Sequence, residues 1–136
     1  MRVNKPFSPK EKEAIELYFE ATKTLPRIPL HVVGFLHNEV ELPKDDLAKI
    51  YKAQTDKTVN TMVGLRKLIA QDQGSVGHQN LKDVYYNWEK TPLPEVLALK
   101  SGFYWIIEGH HRFALQMIAQ RQSVLANVKY SQSLLK

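Results

Sequence analysis

Five consecutive residues, Glu108, Gly109, His110, His111 and Arg112, hold the groups best able to do chemistry in this 136-residue chain. They lie where the apolar run Tyr104 to Ile107 gives way to residues at helical spacing, so they form the turn from a strand into a helix. The first amides of a helix have no partners within it and carry the positive end of the helix dipole, which attracts anions. Glycine lets the chain turn sharply and lets a ligand come close to those amides. Helix starts usually carry acidic side chains; here His110, His111 and Arg112 oppose the dipole, and a bound phosphate would relieve the mismatch. Arg112 adds a planar fork of donors that suits two phosphate oxygens. Glu108 has three readings: a general base, a magnesium ligand, or a surface carboxylate paired with Arg112. The histidines could move protons near neutral pH. Adjacent side chains diverge at a helix start, which disfavours both of them ligating one metal. The plain alternative for all five is a tight turn with solvated basic residues.

Elsewhere the chemistry is thinner. There is no cysteine, which excludes disulfides, thiolate metal sites and a cysteine nucleophile. A net charge of +5 and a pI near 9.4 favour acidic partners such as nucleotides or nucleic acid. His31 reads as a packed strand residue. After it, His37 precedes Glu39 and Glu41, which share one side if that segment is extended; a solvated loop is the plainer reading. His78 lies in a glycine-rich stretch with no evident task. Tyr85, Tyr86 and Trp88, near Lys82 and Lys90, would suit stacking on single-stranded nucleic acid, and core packing explains them as well. Lys44, Lys49, Lys52 and Lys57 read as solvated helix faces able to touch DNA phosphates without sequence preference. No apolar run approaches the roughly eighteen residues of a membrane span, and the start lacks a secretory pattern. A soluble cytoplasmic protein is expected, built as one domain.

The elements that must position the motif follow from periodicity and punctuation. Ser8, Pro9 and Glu11 make a capping box, predicting a helix over residues 9–25 with Ile15, Tyr18 and Phe19 inward. The apolar, β-branched run over 28–36 predicts a buried strand. A helix over 43–54 carries Leu47, Ile50 and Tyr51 on one side. Val59, Met62, Val63, Arg66 and Ile69 predict a third helix from residue 55 or 56, weakened at Gly64. Residues 72–79 read as a flexible loop, and 84–88 fit a strand or a helical turn equally. Glu95–Leu99 and Phe103–Ile107 flank Lys100-Ser101-Gly102 as a hairpin. A helix then carries Ala114, Met117 and Ile118 inward, Val124–Tyr130 forms a last strand, and 131–136 should fray.

The run Ile106-Ile107-Glu108-Gly109-His110-His111-Arg112-Phe113-Ala114 resembles the strand, Gly-His-His-Arg and helix signature of ParB-like nuclease domains in the ParB/sulfiredoxin-like superfamily. The likeness extends back through Pro94-Glu95-Val96-Leu97-Ala98-Leu99 and forward through the 124–128 strand, covering residues 27–130 with only the central motif specific. It implies an α+β fold: one mixed sheet flanked by helices, preceded by an N-terminal helical segment (1–26) and followed by a tail (131–136). It also implies a nucleotide or phosphate pocket at the turn. Gly109 is similar to the family's turn glycine and Arg112 to its phosphate-contacting arginine, with His110 and His111 at the polar positions between. The implied activity is a nuclease-like phosphodiesterase of plasmid or phage type, with Mg2+ and an ATP- or CTP-type nucleotide as candidate cofactors. Glu108, His110 and His111 are then the candidate catalytic residues. Alternatives are a non-catalytic nucleotide-sensing or DNA- or protein-binding module, or a small-molecule kinase in which Glu39 or Glu41 acts on the substrate. Nucleic acid or nucleotide partners, a protein partner and a homodimer are compatible with all three. Sulfiredoxins place a cysteine where His110 stands, so that activity is not expected. Partition proteins carry Gly-Glu-Arg-Arg and a long helix-turn-helix extension, so centromere clamping is not expected either.

Overall fold

Ser8 starts the first helix, α1 (Pro9–Ala21), by the reciprocal contact its sequence requires: Ser8 N–H donates to Glu11 Oε1 at 2.9 Å and Glu11 N–H to Ser8 Oγ at 3.2 Å. The computed structural model describes residues 3–71 and 74–135 of the chain. Helix α1 stops short of the expected Leu25 because Thr22 closes it, its hydroxyl donating to Tyr18 O at 2.7 Å.

After β1 (Arg27–Pro29) the expected long strand over 28–36 does not form. Leu30 and Val33, three apart, bury together on a single helical turn, α2 (Leu30–Val33), ended by Gly34 at φ 132°. Two residues of β2 (His37–Asn38), a 3-10 turn (Glu39–Glu41) and α3 (Lys44–Lys52) follow. The third helix expected from residue 55 or 56 is instead β3 (Lys57–Gly64), a 3-10 turn (Leu65–Lys67) and β4 (Leu68–Ala70). Its residues matched helical spacing, but Thr58, Val59, Thr61 and Val63 are β-branched, and all eight positions of β3 pair with a distant strand.

The loop expected over 72–79 becomes β5 (Ser75–Gly77) and the start of α4 (His78–Tyr86); residues 72 and 73 lie outside the described ones. Helix α4 settles the ambiguous 84–88 segment as helical, with a 3-10 turn at Trp88–Lys90. The hairpin forms as β6 (Glu95–Ala98) and β7 (Tyr104–Glu108), then α5 (His110–Ile118) and β8 (Ser123–Tyr130). The tail expected to fray is ordered through Leu135 as α6 (Gln132–Leu135), with Leu134 buried and Gln132 N–H donating to Asp56 Oδ2 at 2.6 Å.

The chain is therefore an α+β domain on a mixed six-stranded sheet of order β2-β4-β7-β6-β8-β3, with a two-stranded ribbon, β1-β5, beside it. Strands β2, β4 and β7 run parallel, while β6 is antiparallel to β7 and β3 to β8. Alternation along the strands builds two cores. Val96, Ala98, Ile106, Val124, Ala126 and Val128 face a large core under α1, α4 and α5, around the fully buried Phe113. Leu97, Ile69 and Trp105 face a smaller one closed by Ile50 of α3 and Leu134 of α6. No helix among the described residues is long and apolar enough to cross a membrane.

Candidate functional site

The parallel strands bring their carboxyl ends to one edge of the sheet, since Asn38 is level with Ala70 and Ile69 with Trp105. Gln71 leaves β4 and Gly109 leaves β7 at that edge, where ligands commonly bind in open sheets with parallel strands. Gly109 has φ 107° and ψ 30°, which swings the chain directly from β7 into α5. The ribbon β1-β5 borders the same place, and together they enclose a cleft of about 450 Å³ lined by Arg27, Gln71, Ser75, His110, His111 and Arg112, among others.

Arg112 is anchored. Its Nη1 donates to Pro92 O and Leu93 O, both at 2.9 Å, and only 12% of the side chain is exposed. Among the described residues no hydrogen bond engages Nε or Nη2, and Nη2 stands 4.0 Å from Glu108 Oε1. Glu108 itself is 70% exposed at the mouth of the cleft. Across the cleft Arg27 is held by Ser75, its Nε donating to Ser75 Oγ at 2.7 Å and its Nη2 to Ser75 O at 3.1 Å.

His111 lies between the two arginines electrostatically. Burial first, then the charges of Arg27 and Arg112, disfavour its protonated form and push its pKa down. Its Nε2 is buried and has no hydrogen-bond partner among the described residues. This combination is two guanidinium charges, with Glu108 near one of them, beside an orphaned polar atom.

His110 has a different task. Its Nε2 accepts the Gln71 backbone N–H at 3.0 Å, while the Gln71 side-chain amide donates to Ile106 O at 2.7 Å. The imidazole thus fixes the exit of β4 against the exit of β7, with its lone pair committed. Burial, helped by His111, holds its pKa at about 4. At neutral pH it is therefore neutral and accepts from Gln71.

A pH dependence follows. The unfolded chain takes up the His110 proton near pH 6.5 and the folded chain only near 4. The stabilisation from neutral His110 is thus complete above about 6.5 and is lost as pH falls towards about 4, in all roughly 3 kcal/mol. Urea unfolding across this window should show that slope in the native chain and a flatter one in His110→Gln, whose amide oxygen can still accept from Gln71. Equal slopes would refute the assignment.

The remaining sequence candidates lie apart from the cleft. Glu39 accepts the Tyr51 hydroxyl at 2.8 Å and Glu41 pairs with His37 Nδ1 at 3.1 Å; neither lines the cleft. His31 is exposed on α2, not packed in a strand. His78 is buried, with Nε2 3.2 Å from Phe19 O. Trp88 stacks on Phe7 at 4.5 Å and Tyr85 donates to Glu16 at 2.9 Å, leaving Tyr86 as the exposed aromatic of that trio. Lys57 sits on β3, over the Tyr130 ring, and not on a helix face.

Sequence reasoning missed Arg27, Gln71 and Ser75. The β1-β5 pairing joins Arg27 to Ser75 across 48 positions, and no local pattern announces it. Of carboxylates the described lining residues include Glu108 alone, and no group of three potential metal ligands gathers among the described residues; a magnesium ion there would draw its other ligands from water and a bound phosphate. No protein-family model matches the chain and no curated protein matches its sequence, so the functional argument rests on these side chains.

Proposed function

We propose that the cleft at the start of α5 binds the phosphate of a nucleotide or nucleic acid, as in the ParB/sulfiredoxin-like proteins whose motif Gly109 to Arg112 resembles. One observation carries this reading: two anchored arginines, Arg27 and Arg112, flank a buried His111 nitrogen that has no partner among the described residues, at the amino end of a helix. A phosphate there would accept from Arg112 Nη2 and Nε, from the first-turn amides, and from His111 once protonated. Its charge would offset the repulsion from Arg27 and Arg112 that adds to burial in keeping His111 neutral. The anchoring matters because donors already held in place lose little freedom on binding. Arg112 also spans Glu108 to the Pro92 carbonyl, so the ligand would touch the groups that fix the turn.

Phosphodiester hydrolysis is the second reading, favoured by Glu108, an exposed carboxylate beside Arg112 that could orient water at the bound phosphorus. It lacks a ready acid for the leaving oxygen, since His110 is committed to Gln71 and both imidazoles are held neutral. Binding without turnover, as in a nucleotide-sensing module, is therefore the reading the geometry supports best.

Thermal unfolding with inorganic phosphate, nucleoside di- and triphosphates and short DNA tests it. Ligand at a hundred times its dissociation constant stabilises by about 2.7 kcal/mol. The shift should vanish in Arg27→Gln and in His111→Gln, and the His111 imidazole resonances should report a raised pKa when ligand is bound. Unaltered melting with every phosphate, or a shift that survives both substitutions, would remove the cleft from consideration. Release of nucleotides from DNA by the native chain but not by Glu108→Gln would instead favour the phosphodiesterase.

A further inference from the structure

Strand β3 is the far edge of the sheet, three strands away from β7 and the cleft, and among the described residues it pairs on one side only. Edge strands of soluble proteins are normally blunted by brevity, charge, proline or a bulge. The opposite edge obeys this rule, for β2 has two residues and turns at once into a 3-10 helix. Strand β3 does not. It runs for eight residues without proline, its ladder with β8 has unbroken register, and its one charge is Lys57 at the start.

Leu65 N–H donates to Gln122 O at 3.0 Å, and bonded positions alternate along an antiparallel ladder. The odd-numbered residues of β3 thus face β8, while Thr58, Asn60, Met62 and Gly64 turn their N–H and C=O groups outward. Met62 is 55% exposed, next to the half-buried Leu125 across the ladder.

We propose that β3 is the dimer interface of this protein, pairing antiparallel with β3 of a second copy about a two-fold axis at Thr61. This register sets Asn60 against Met62 and Thr58 against Gly64 of the other copy, joining all four outward-facing positions in each strand. It also brings Asp56, just before one β3, level with Arg66, just past the end of the other, twice by symmetry. The Asp56–Arg66 pair, repeated by the rotation, is therefore self-complementary, as an isologous interface demands. A shift by two residues in either direction separates them.

Sedimentation equilibrium tests the pairing on the full chain. The mass should rise with concentration from 15.7 kDa towards twice that. Met62→Lys, an exposed position, should hold the chain at the monomer mass, with an unchanged melting temperature at concentrations where the native chain is monomeric, because it sets two like charges beside the axis. The absence of native cysteine allows a second readout. Thr61→Cys lies opposite itself at a non-hydrogen-bonded pair, within disulfide reach, and should give a covalent dimer on mild oxidation. Met62→Cys, opposite Asn60, should cross-link far more slowly. A monomer at every concentration with no Thr61→Cys dimer would overturn the proposal and leave the edge to an extended segment of another protein. Equal cross-linking by the two cysteine variants would overturn it as well, since no single register allows that.

Discussion

Arg121→Ala is expected to destabilise the chain by about 3–5 kcal/mol, lowering the melting temperature by roughly 10–20 °C. The effect is large because every edge of this guanidinium is used. Nε donates to Glu11 Oε2 at 2.6 Å and Nη2 to Glu11 Oε1 at 3.1 Å; Nη1 donates to Gln116 Oε1 at 2.7 Å. Nη2 also meets Lys5 O at 3.1 Å and Pro6 O at 2.9 Å, and the guanidinium lies 4.7 Å from the Phe7 ring centre. Arg121 thereby clasps the segment before α1, the capping residue of α1 and the fully buried Gln116 of α5. Exposed ion pairs contribute little, but here the two side chains are only 9% and 19% exposed. Alanine would leave the Gln116 amide oxygen and the Pro6 carbonyl without donors and the Glu11 carboxylate without its charged partner, while Ser8 N–H still reaches Glu11 Oε1 and Trp88 Nε1–H still reaches Lys5 O. Lysine should rescue little, since a point charge cannot fill a planar fork.

The same clasp predicts an acid limb. The Arg121 hydrogen bond, opposed by burial and helped by Ser8, holds the Glu11 pKa at about 2 instead of 4.5. The sign is that of a depressed carboxylate: the stabilisation is complete above about 4.5 and is lost as pH falls through about 2. In Arg121→Ala that limb should largely disappear, so native and variant unfolding curves should converge in strong acid. A variant that melts within a degree or two of the native chain would mean that the clasp is redundant.

What the sequence discloses about this fold depends on the distance between the residues that decide each element. The hairpin of β6 and β7, the turn at Gly109 and helix α5 are local, and alternation and spacing are enough to read them. The capping box of α1 is local too. The segment over 55–69 is not: Val59, Met62, Val63 and Ile69 fit a helical stripe, and only β8, more than fifty positions away, makes the strand the better arrangement. Likewise the short α2 exists because Leu30 and Val33 reach a core assembled from distant strands. Leu134 turns an expected loose tail into a helix by finding Ile50. The candidate site divides the same way. Glu108 to Arg112 are consecutive and visible as a motif, whereas Arg27 and Gln71 arrive through β1-β5 pairing and the exit of β4. The sequence therefore shows half of the cleft and conceals the half that faces it.

Gly109→Ala tests how tightly the turn into α5 is constrained, and is expected to cost about 3 kcal/mol or more. Two effects add. A left-handed backbone costs an L-residue roughly 1–2 kcal/mol, and φ at Gly109 is 107°. An added Cβ would also lie 2.7 Å from Pro94 Cβ and 3.0 Å from Pro94 Cα, an overpacking worth roughly 1–3 kcal/mol. Pro94 cannot step aside, being fully buried with its carbonyl accepting from Asn127 N–H at 2.9 Å. Gly102→Ala separates the two effects, since φ there is 90° and nothing lies within 4 Å of the new Cβ. It should show the backbone cost alone, and the excess at Gly109 in urea unfolding measures the clash. Equal losses at the two glycines would mean that the chain relaxes around Pro94. If the turn instead moves, Arg112 loses Pro92 and Leu93 while His110 loses Gln71. Phosphate-induced stabilisation should then fail in Gly109→Ala even under conditions where the variant is folded, and persist in Gly102→Ala.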